Sequence, residues 1–188
     1  MKVLVACEYS GRVRDAFIRK GHDAMSCDLL DTDVPGPHYI GNVLDIIDRD
    51  WDLMIAHPPC TYLANSGVRW LHSQEGRWQK MEESALFFKT LWEADIPKIC
   101  VENPIPHSYA VKAIGGMKYT QKIQPWQFGH GETKATCLWL KGLPPLIPTD
   151  IVDGREQRIH NLPPSKDRWK IRSTTFLGIA AAMADQWG

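Results

Sequence analysis

A chain of 188 residues can bury a substantial core within one domain. Its 44% hydrophobic and 23% charged content is that of a globular protein and excludes disordered, collagen-like and low-complexity classes. The formal net charge of zero divides unevenly: residues 1–100 hold 11 Lys and Arg against 15 Asp and Glu, a balance of −4, and the remainder carries +4.

No apolar run approaches the roughly 18 residues of a membrane span. Met1-Lys2-Val3-Leu4-Val5 leads directly into a strand pattern and not a signal peptide. Five cysteines, an odd number without a Cys-x-x-Cys pair, argue against a disulfide framework and a zinc site and for a reducing, cytoplasmic setting.

Val3-Leu4-Val5-Ala6-Cys7 is a continuous apolar run, as in a central parallel strand. Glu8-Tyr9-Ser10-Gly11 breaks it, and Ser10 is placed to cap a helix running through Val13, Ala16 and Phe17 to Lys20, stopped by Gly21. A second strand over 24–27 ends at Asp28. This strand–turn–helix–strand–acid order is that of a nucleotide-binding half-fold, in which the acid accepts hydrogen bonds from ribose hydroxyls. The turn carries one glycine, Gly11, in place of a pyrophosphate-binding set. A cofactor with ribose and no pyrophosphate, such as S-adenosylmethionine, therefore fits better than NAD. It is expected between Tyr9-Ser10-Gly11, Asp28-Leu29 and the segment around Asn42, although many α/β domains contain such a turn and bind no cofactor.

Residues 29–42 read as a loop punctuated by Pro35-Gly36-Pro37. A short amphipathic segment over 43–47 precedes a buried strand over 51–56. His57-Pro58-Pro59-Cys60-Thr61 ends that strand stiffly, because each proline fixes φ and lacks an N–H. Cys60 then stands at the carboxyl edge of the sheet, where open α/β folds place their ligands, and is a candidate nucleophile. Cys7, Cys27, Cys100 and Cys137 lie instead within apolar strand patterns and read as small buried hydrophobes.

From Tyr62 through Arg69 and Trp70 to Trp78, aromatic, small and basic side chains mix without a period, the composition of a mobile lid over a planar substrate. Met81, Ala85, Phe88 and Trp92 recur at helical spacing over 79–94, which predicts a crossover helix. A strand over 97–101 runs into Glu102-Asn103-Pro104, so two strand ends deliver a cysteine and a carboxylate to one rim. Later strands are expected over 126–128 and 136–140, and a terminal helix over 175–187. The basic stretch Arg155, Arg158, Lys166, Arg168, Lys170 and Arg172, interleaved with His160 and Trp169, is either a phosphate-contacting face or a solvated loop.

The order strand–Tyr9-Ser10-Gly11–helix, Asp28, Gly41-Asn42-Val43, Pro58-Pro59-Cys60 and Glu102-Asn103-Pro104 resembles that of DNA (cytosine-5)-methyltransferases, above all their short, phage-type members. The resemblance implies an α/β, Rossmann-like, doubly wound and mostly parallel sheet of the S-adenosylmethionine-dependent methyltransferase type. It implies Cys60 as nucleophile, Glu102 as the group that binds and protonates the base, and Asp28 as the ribose ligand. Further cofactor contacts are expected from Cys7, Tyr9, Ser10, Gly11, Leu29, Asn42 and Pro58. Substrate contacts are expected from Pro59, Asn103, Arg69, Lys134, Arg168, Lys170 and Arg172. An amino-methyltransferase would carry an aromatic after Pro-Pro, where this chain has cysteine. The departures are an Asn at 42 where the family has an acid, Glu-Asn-Pro for Glu-Asn-Val, Lys134 where a paired arginine is usual, and Gly178-Ile179 for Gly-Asn. Only residues 148–172 separate the sheet from the last helix, so 1–188 is expected to be one catalytic domain without a separate target-recognition domain. DNA or a pyrimidine nucleotide is the expected partner, with no membrane and with a homodimer or a partner protein supplying specificity.

The chemistry asks for these residue types independently. Cytosine C5 is too weak a nucleophile to take a methyl group from a sulfonium; a thiolate added at C6 turns the ring into an enamine that can. A carboxylic acid supplies the hydrogen bond or proton that N3 needs as charge builds there, and a base in a duplex must first leave the stack. The same chemistry on a free nucleotide, and a non-catalytic protein that keeps the fold, are the two alternatives.

Overall fold

A computed structural model describes all residues from Met1 to Gly188. Its centre is a seven-stranded sheet in the order β3-β2-β1-β4-β5-β7-β6. The strands are β1 (Lys2–Ala6), β2 (Asp23–Asp28), β3 (His38–Ile40), β4 (Leu53–Ala56), β5 (Lys98–Pro104), β6 (Gln121–Ile123) and β7 (Thr136–Lys141). β1 to β5 pair in parallel, whereas β7 runs antiparallel to both β5 and β6. Helices α1 (Arg12–Arg19), α2 (Arg77–Glu93), α3 (Ser108–Ala113), α4 (Arg158–Asn161), α5 (Arg168–Ser173) and α6 (Leu177–Trp187) complete the chain.

Beyond the exposed Lys2, β1 and β4 are apolar at every position because both faces are covered. Val3, Val5, Leu53, Ile55 and Cys100 pack with Val13 and Phe17 of α1 and Ile179, Met183 and Trp187 of α6. The alternate residues Leu4, Ala6, Met54, Ala56, Ile99 and Val101 pack with Met81, Phe88 and Leu91 of α2. Period-two alternation thus feeds two cores, one on each face of the sheet.

Strand order reverses between β1 and β4, and at such a point two loops diverge and leave a crevice beyond the carboxyl ends of the strands. One loop is Cys7 to Gly11 and the other is His57 to Cys60. β5 outlasts β4 in register: the β4 pairing stops at Ala56 opposite Val101, but β7 pairs with β5 as far as Pro104. Glu102 therefore sits within a strand, supported by β7 on one side and open toward the crevice on the other. The expected strand end at 101 is displaced because β7 supplies the missing ladder.

Three other expectations are corrected by the structure. Trp126 and Gln127 belong to a 3-10 turn, Pro125–Gln127, because Gln124 and Gln127 cap each other reciprocally and Pro125 opens the turn. The strand on this edge is instead the more polar Gln121–Ile123. Residues 62–78 are not a free lid: they hold a 3-10 helix, Asn65–His72. This segment is tied by Asn65 N to Ile105 O at 2.8 Å, His107 Nε2 to Tyr62 O at 2.9 Å and Arg77 Nη2 to Thr61 O at 3.1 Å. The segment 29–42 also contains β3, a short exposed edge strand following Pro37. No helix is long and apolar enough to cross a membrane.

Candidate active site

The crevice is a cavity of about 130 Å³ whose walls include Cys7, Tyr9, Ser10, His57, Pro58, Pro59, Cys60, Glu102, Lys134 and Arg172. Residues from five separate parts of the sequence converge there, and most of the expected site residues are among them.

Cys60 is held by its own loop, with its carbonyl accepting from Leu63 N at 3.1 Å and Ala64 N at 2.9 Å. Burial raises its thiol above the ordinary value and the Glu102 charge raises it further, while Lys134, a backbone N–H and Arg172 act in the opposite direction. The net direction is upward, and the side-chain cations that oppose it are Lys134 and Arg172. Arg69 stacks on Trp70, 4.5 Å from the ring centroid, on an exposed part of the 3-10 segment away from the cavity wall.

Glu102 binds His57, with Oε2 2.9 Å from Nδ1. Burial alone would raise the carboxyl, but the His57 hydrogen bond, the His57 charge and Lys134 outweigh it, and the net direction is downward. Burial lowers Lys134, and Arg172 adds to that, while the acidic neighbours Glu102, Cys60 and Glu132 oppose it. Sequence reasoning gave His57 no role of its own, because nothing local shows that it meets a residue 45 positions on. Its N closes the last rung of the ladder, donating to Ala6 O at 2.9 Å, a pairing that only the folded chain reveals.

A measurable consequence concerns Lys134. Removing its charge as Lys134→Met takes away the first-ranked force that lowers the Cys60 thiol. The thiolate fraction is lost first at neutral pH and recovered only as pH rises through the higher pKa. The midpoint of Cys60 alkylation by iodoacetamide, followed by peptide mapping, is therefore expected to move to higher pH than in the wild type. An unmoved midpoint would show that Lys134 does not act on the thiol.

The first-strand loop bears the marks of a ligand-binding turn. Cys7 is the one non-glycine residue in the left-handed region, at φ 58°. Burial, Asp28 and Cys27 push its thiol up to about 12. Ser10 is not the cap of α1: Gly11 takes that position, and the buried Glu8 carboxylate accepts from Val13 N at 2.8 Å and Arg14 N at 3.2 Å. A carboxylate satisfies the orphan N–H groups and the positive helix end together. Asp28 accepts from Leu30 N at 3.0 Å through Oδ1, and Oδ2 has no protein partner. Leu29, beside it, is 76% exposed. Asn42 turns its side chain to its own 3-10 turn, accepting from Leu44 N at 3.1 Å.

The remaining expected residues divide. Asn103 is buried and directs Nδ2 to Pro58 O at 3.4 Å, bracing the proline loop from behind. Lys170 is fixed to Asp33 at 2.9 Å and lies over the Tyr9 ring, and Tyr9 Oη hydrogen-bonds Ser173 Oγ at 2.9 Å. Arg168 turns toward His160 O at 3.5 Å. Of the three basic residues on α5, Arg172 alone enters the cavity, where Ser173, Thr174 and Thr175 join it.

A seven-stranded sheet with one reversed strand, β7, and a cavity at its switch point defines an α/β, Rossmann-like fold of the S-adenosylmethionine-dependent methyltransferase type. No protein-family profile matches the chain, and no curated protein matches its sequence. One solved structure similar to it is a candidate DNA modification methyltransferase encoded within a prophage (E. coli), with TM-score 0.51 and 16% identity over 81% of this chain and 52% of that one. The Entamoeba histolytica methyltransferase EhMeth aligns with TM-score 0.45 and 11% identity over 88% of this chain and 60% of its own. The S. pombe Dnmt2 methyltransferase aligns with TM-score 0.45 and 13% identity over 86% and 54%. The chain thus spans between 52% and 60% of the length of these structures, and what it shares with the prophage-encoded one at 16% identity is the fold.

Proposed function

We propose that this chain methylates C5 of cytosine in DNA through a covalent Cys60–C6 adduct, with S-adenosylmethionine as the methyl source. One observation carries the reading: a loop cysteine, a carboxylate and a lysine share one cavity wall with the turn that follows the first strand. Cysteine, carboxylic acid and cation are the set that nucleophilic activation of a pyrimidine needs.

The residues present fit S-adenosylmethionine. The free oxygen of Asp28 is available to ribose hydroxyls, the exposed Leu29 and Leu44 offer apolar surface to a purine, and the Cys7–Ser10 backbone leads from there into the cavity. When bound, the cofactor supplies an electrophilic methyl group. The cavity is smaller than the ~300 Å³ at the lower end of ligand sites, so cofactor and base together require the segment Arg172–Thr175 to yield.

Cys60 attacks C6 as the thiolate, its charge balanced by Lys134 and Arg172. Negative charge then spreads toward N3 and O2. Glu102, ionised in the free protein, binds N3 of cytosine by taking up one proton with the ring, and Lys134 donates to the developing charge. After methyl transfer, loss of the C5 proton and expulsion of Cys60 restore the aromatic ring and the thiolate.

Replacing Asp28 with alanine removes a charged acceptor from the ribose. S-Adenosylmethionine affinity, read by calorimetry, is expected to weaken by about 1.5–3 kcal/mol, the worth of a hydrogen bond to a charged group. Unchanged affinity would rule out this placement of the cofactor.

The same reaction on a free nucleotide is the second reading. It is favoured by the course of residues 142–176, which hold only two short helices and lie against the body through bridges of Asp150 to Phe128 and Glu156 to Glu132. Labelled S-adenosylmethionine offered with duplex DNA, single-stranded DNA or dCMP distinguishes the substrates by which one acquires 5-methylcytosine.

A further inference from the structure

His57 is used by the fold at one ring nitrogen only. Nδ1 lies 2.9 Å from Glu102 Oε2. An ionised carboxylate is acceptor-only, so Nδ1 carries the hydrogen and donates. The other nitrogen, Nε2, is buried and has no hydrogen-bond partner. The side chain is 10% exposed and lines the same cavity as Cys60. Its backbone is fixed, with N donating to Ala6 O and Pro58-Pro59 following immediately, and the Glu102 hydrogen bond holds the ring. A buried polar atom without a partner calls for one, and His57 is among the residues that line the cavity assigned above to a pyrimidine.

The donor and acceptor pattern of this wall discriminates between rings. Glu102 with a donor already attached presents acceptor capacity outward, which suits a ring that carries hydrogen on N3. Cytosine has no such hydrogen and must bring a proton with it. Uracil has N3–H and an oxygen at C4, which asks for a donor. An imidazole protonated at Nε2 is that donor, and its positive charge then rests against the Glu102 carboxylate. Lys134, a donor only, suits the O2 that both rings share.

We propose that the cavity accepts a 4-oxopyrimidine, a uracil-type ring, as well as cytosine, with Glu102 accepting from N3–H and His57 Nε2–H donating to O4. This rests on the Cys60 adduct reading and names a second substrate class for the same site. Thiolate addition at C6 activates C5 of uracil as it does that of cytosine, so the chemistry is unchanged: the S–C6 bond forms, C5 takes the methyl group as the donor's S–CH3 bond breaks to leave a neutral thioether, the C5 proton passes to water, and its electron pair forms the C5–C6 double bond and expels Cys60 as the thiolate.

The test compares trapping of the intact protein by 5-fluoro-2′-deoxyuridine and 5-fluoro-2′-deoxycytidine, each as the monophosphate and within one oligonucleotide, with S-adenosylmethionine present. The wild type is expected to form adducts with both rings. His57→Asn keeps a donor for Glu102 and removes Nε2. In that variant the uridine-to-cytidine ratio of trapping rates is expected to fall about 10- to 100-fold, the range of one charge-assisted hydrogen bond. An unchanged ratio, even with both rates reduced, means that His57 only orients Glu102 and overturns the assignment. Wild-type trapping of cytidine alone overturns it while leaving the cytosine reading intact, and trapping of neither ring overturns the adduct chemistry and this inference together. The wild-type comparison stands whether or not the variant folds.

Discussion

Cys60→Ser is expected to abolish methyl transfer, a loss of at least about 10⁴-fold, while S-adenosylmethionine affinity stays close to that of the wild type. Hydroxyl and thiol are similar in size, so the loop held by Leu63 N and Ala64 N keeps its shape. What changes is the nucleophile. Lys134 and Arg172 lower a thiol toward ionisation, but a hydroxyl starts far too high for the same two cations to ionise it. The cofactor's ribose is placed at Asp28, across the first-strand loop, and does not depend on Cys60. Turnover within tenfold of the wild type would mean that another group attacks C6, or that no adduct forms.

The second large effect is structural. Arg14 is fully buried on α1. Nε meets Asp15 Oδ1 at 2.7 Å, Nη1 meets Ser26 Oγ and Thr32 Oγ1 at 3.2 Å each, and Nη2 meets Val34 O at 3.1 Å. The guanidinium passes between two glycine backbones: a Cβ on Gly11 would lie 2.5 Å from Nη2, and one on Gly36 2.6 Å from Cζ. One side chain therefore joins α1, β2 and the loop after Asp28, and that loop also reaches Tyr9 O through Asp33 N at 2.8 Å. Arg14→Ala leaves these acceptors without a donor and a cavity in their midst. The expected destabilisation is about 3–5 kcal/mol, the range for breaking a buried charged cluster from one side. Urea unfolding monitored by tryptophan fluorescence measures it. A loss below ~1 kcal/mol would show that water replaces the guanidinium and that the loop after β2 does not rely on it.

How much of this was readable in the sequence depends on where each residue finds its partners. Val3 to Ala6 and Leu53 to Ala56 were legible as central strands because apolar side chains on both faces leave no other economical place for them. Cys60 was legible by contrast with the four cysteines inside strand patterns, three of which are fully buried. Trp126-Gln127-Phe128 was misread because an aromatic pair at period two imitates a strand, and the reciprocal caps of Gln124 and Gln127 carry no hydrophobic signal. β3 and β6 were missed because edge strands are short and partly polar.

The site shows the same division. Asp28, Cys60 and Glu102 follow strand patterns, so their rim could be anticipated. His57 could not, since its role lies in a pairing across two strands. Arg172 and Lys170 sit two residues apart on α5, and local sequence does not say which faces inward. Packing decides it: Asp33 and the Tyr9 ring hold Lys170 outside, leaving Arg172 to line the cavity.

The central claim is that Cys60 bonds to C6 of a pyrimidine. The most direct measurement incubates the wild-type protein with labelled S-adenosylmethionine and DNA or dCMP bearing fluorine at C5, which blocks the last elimination. The product is then digested and the modified peptide mapped. A denaturation-stable adduct on the peptide containing Cys60, carrying one labelled methyl group, is the predicted result. Methyl transfer to unfluorinated cytosine with no adduct on the fluorinated ring, or an adduct on any other cysteine, would contradict it.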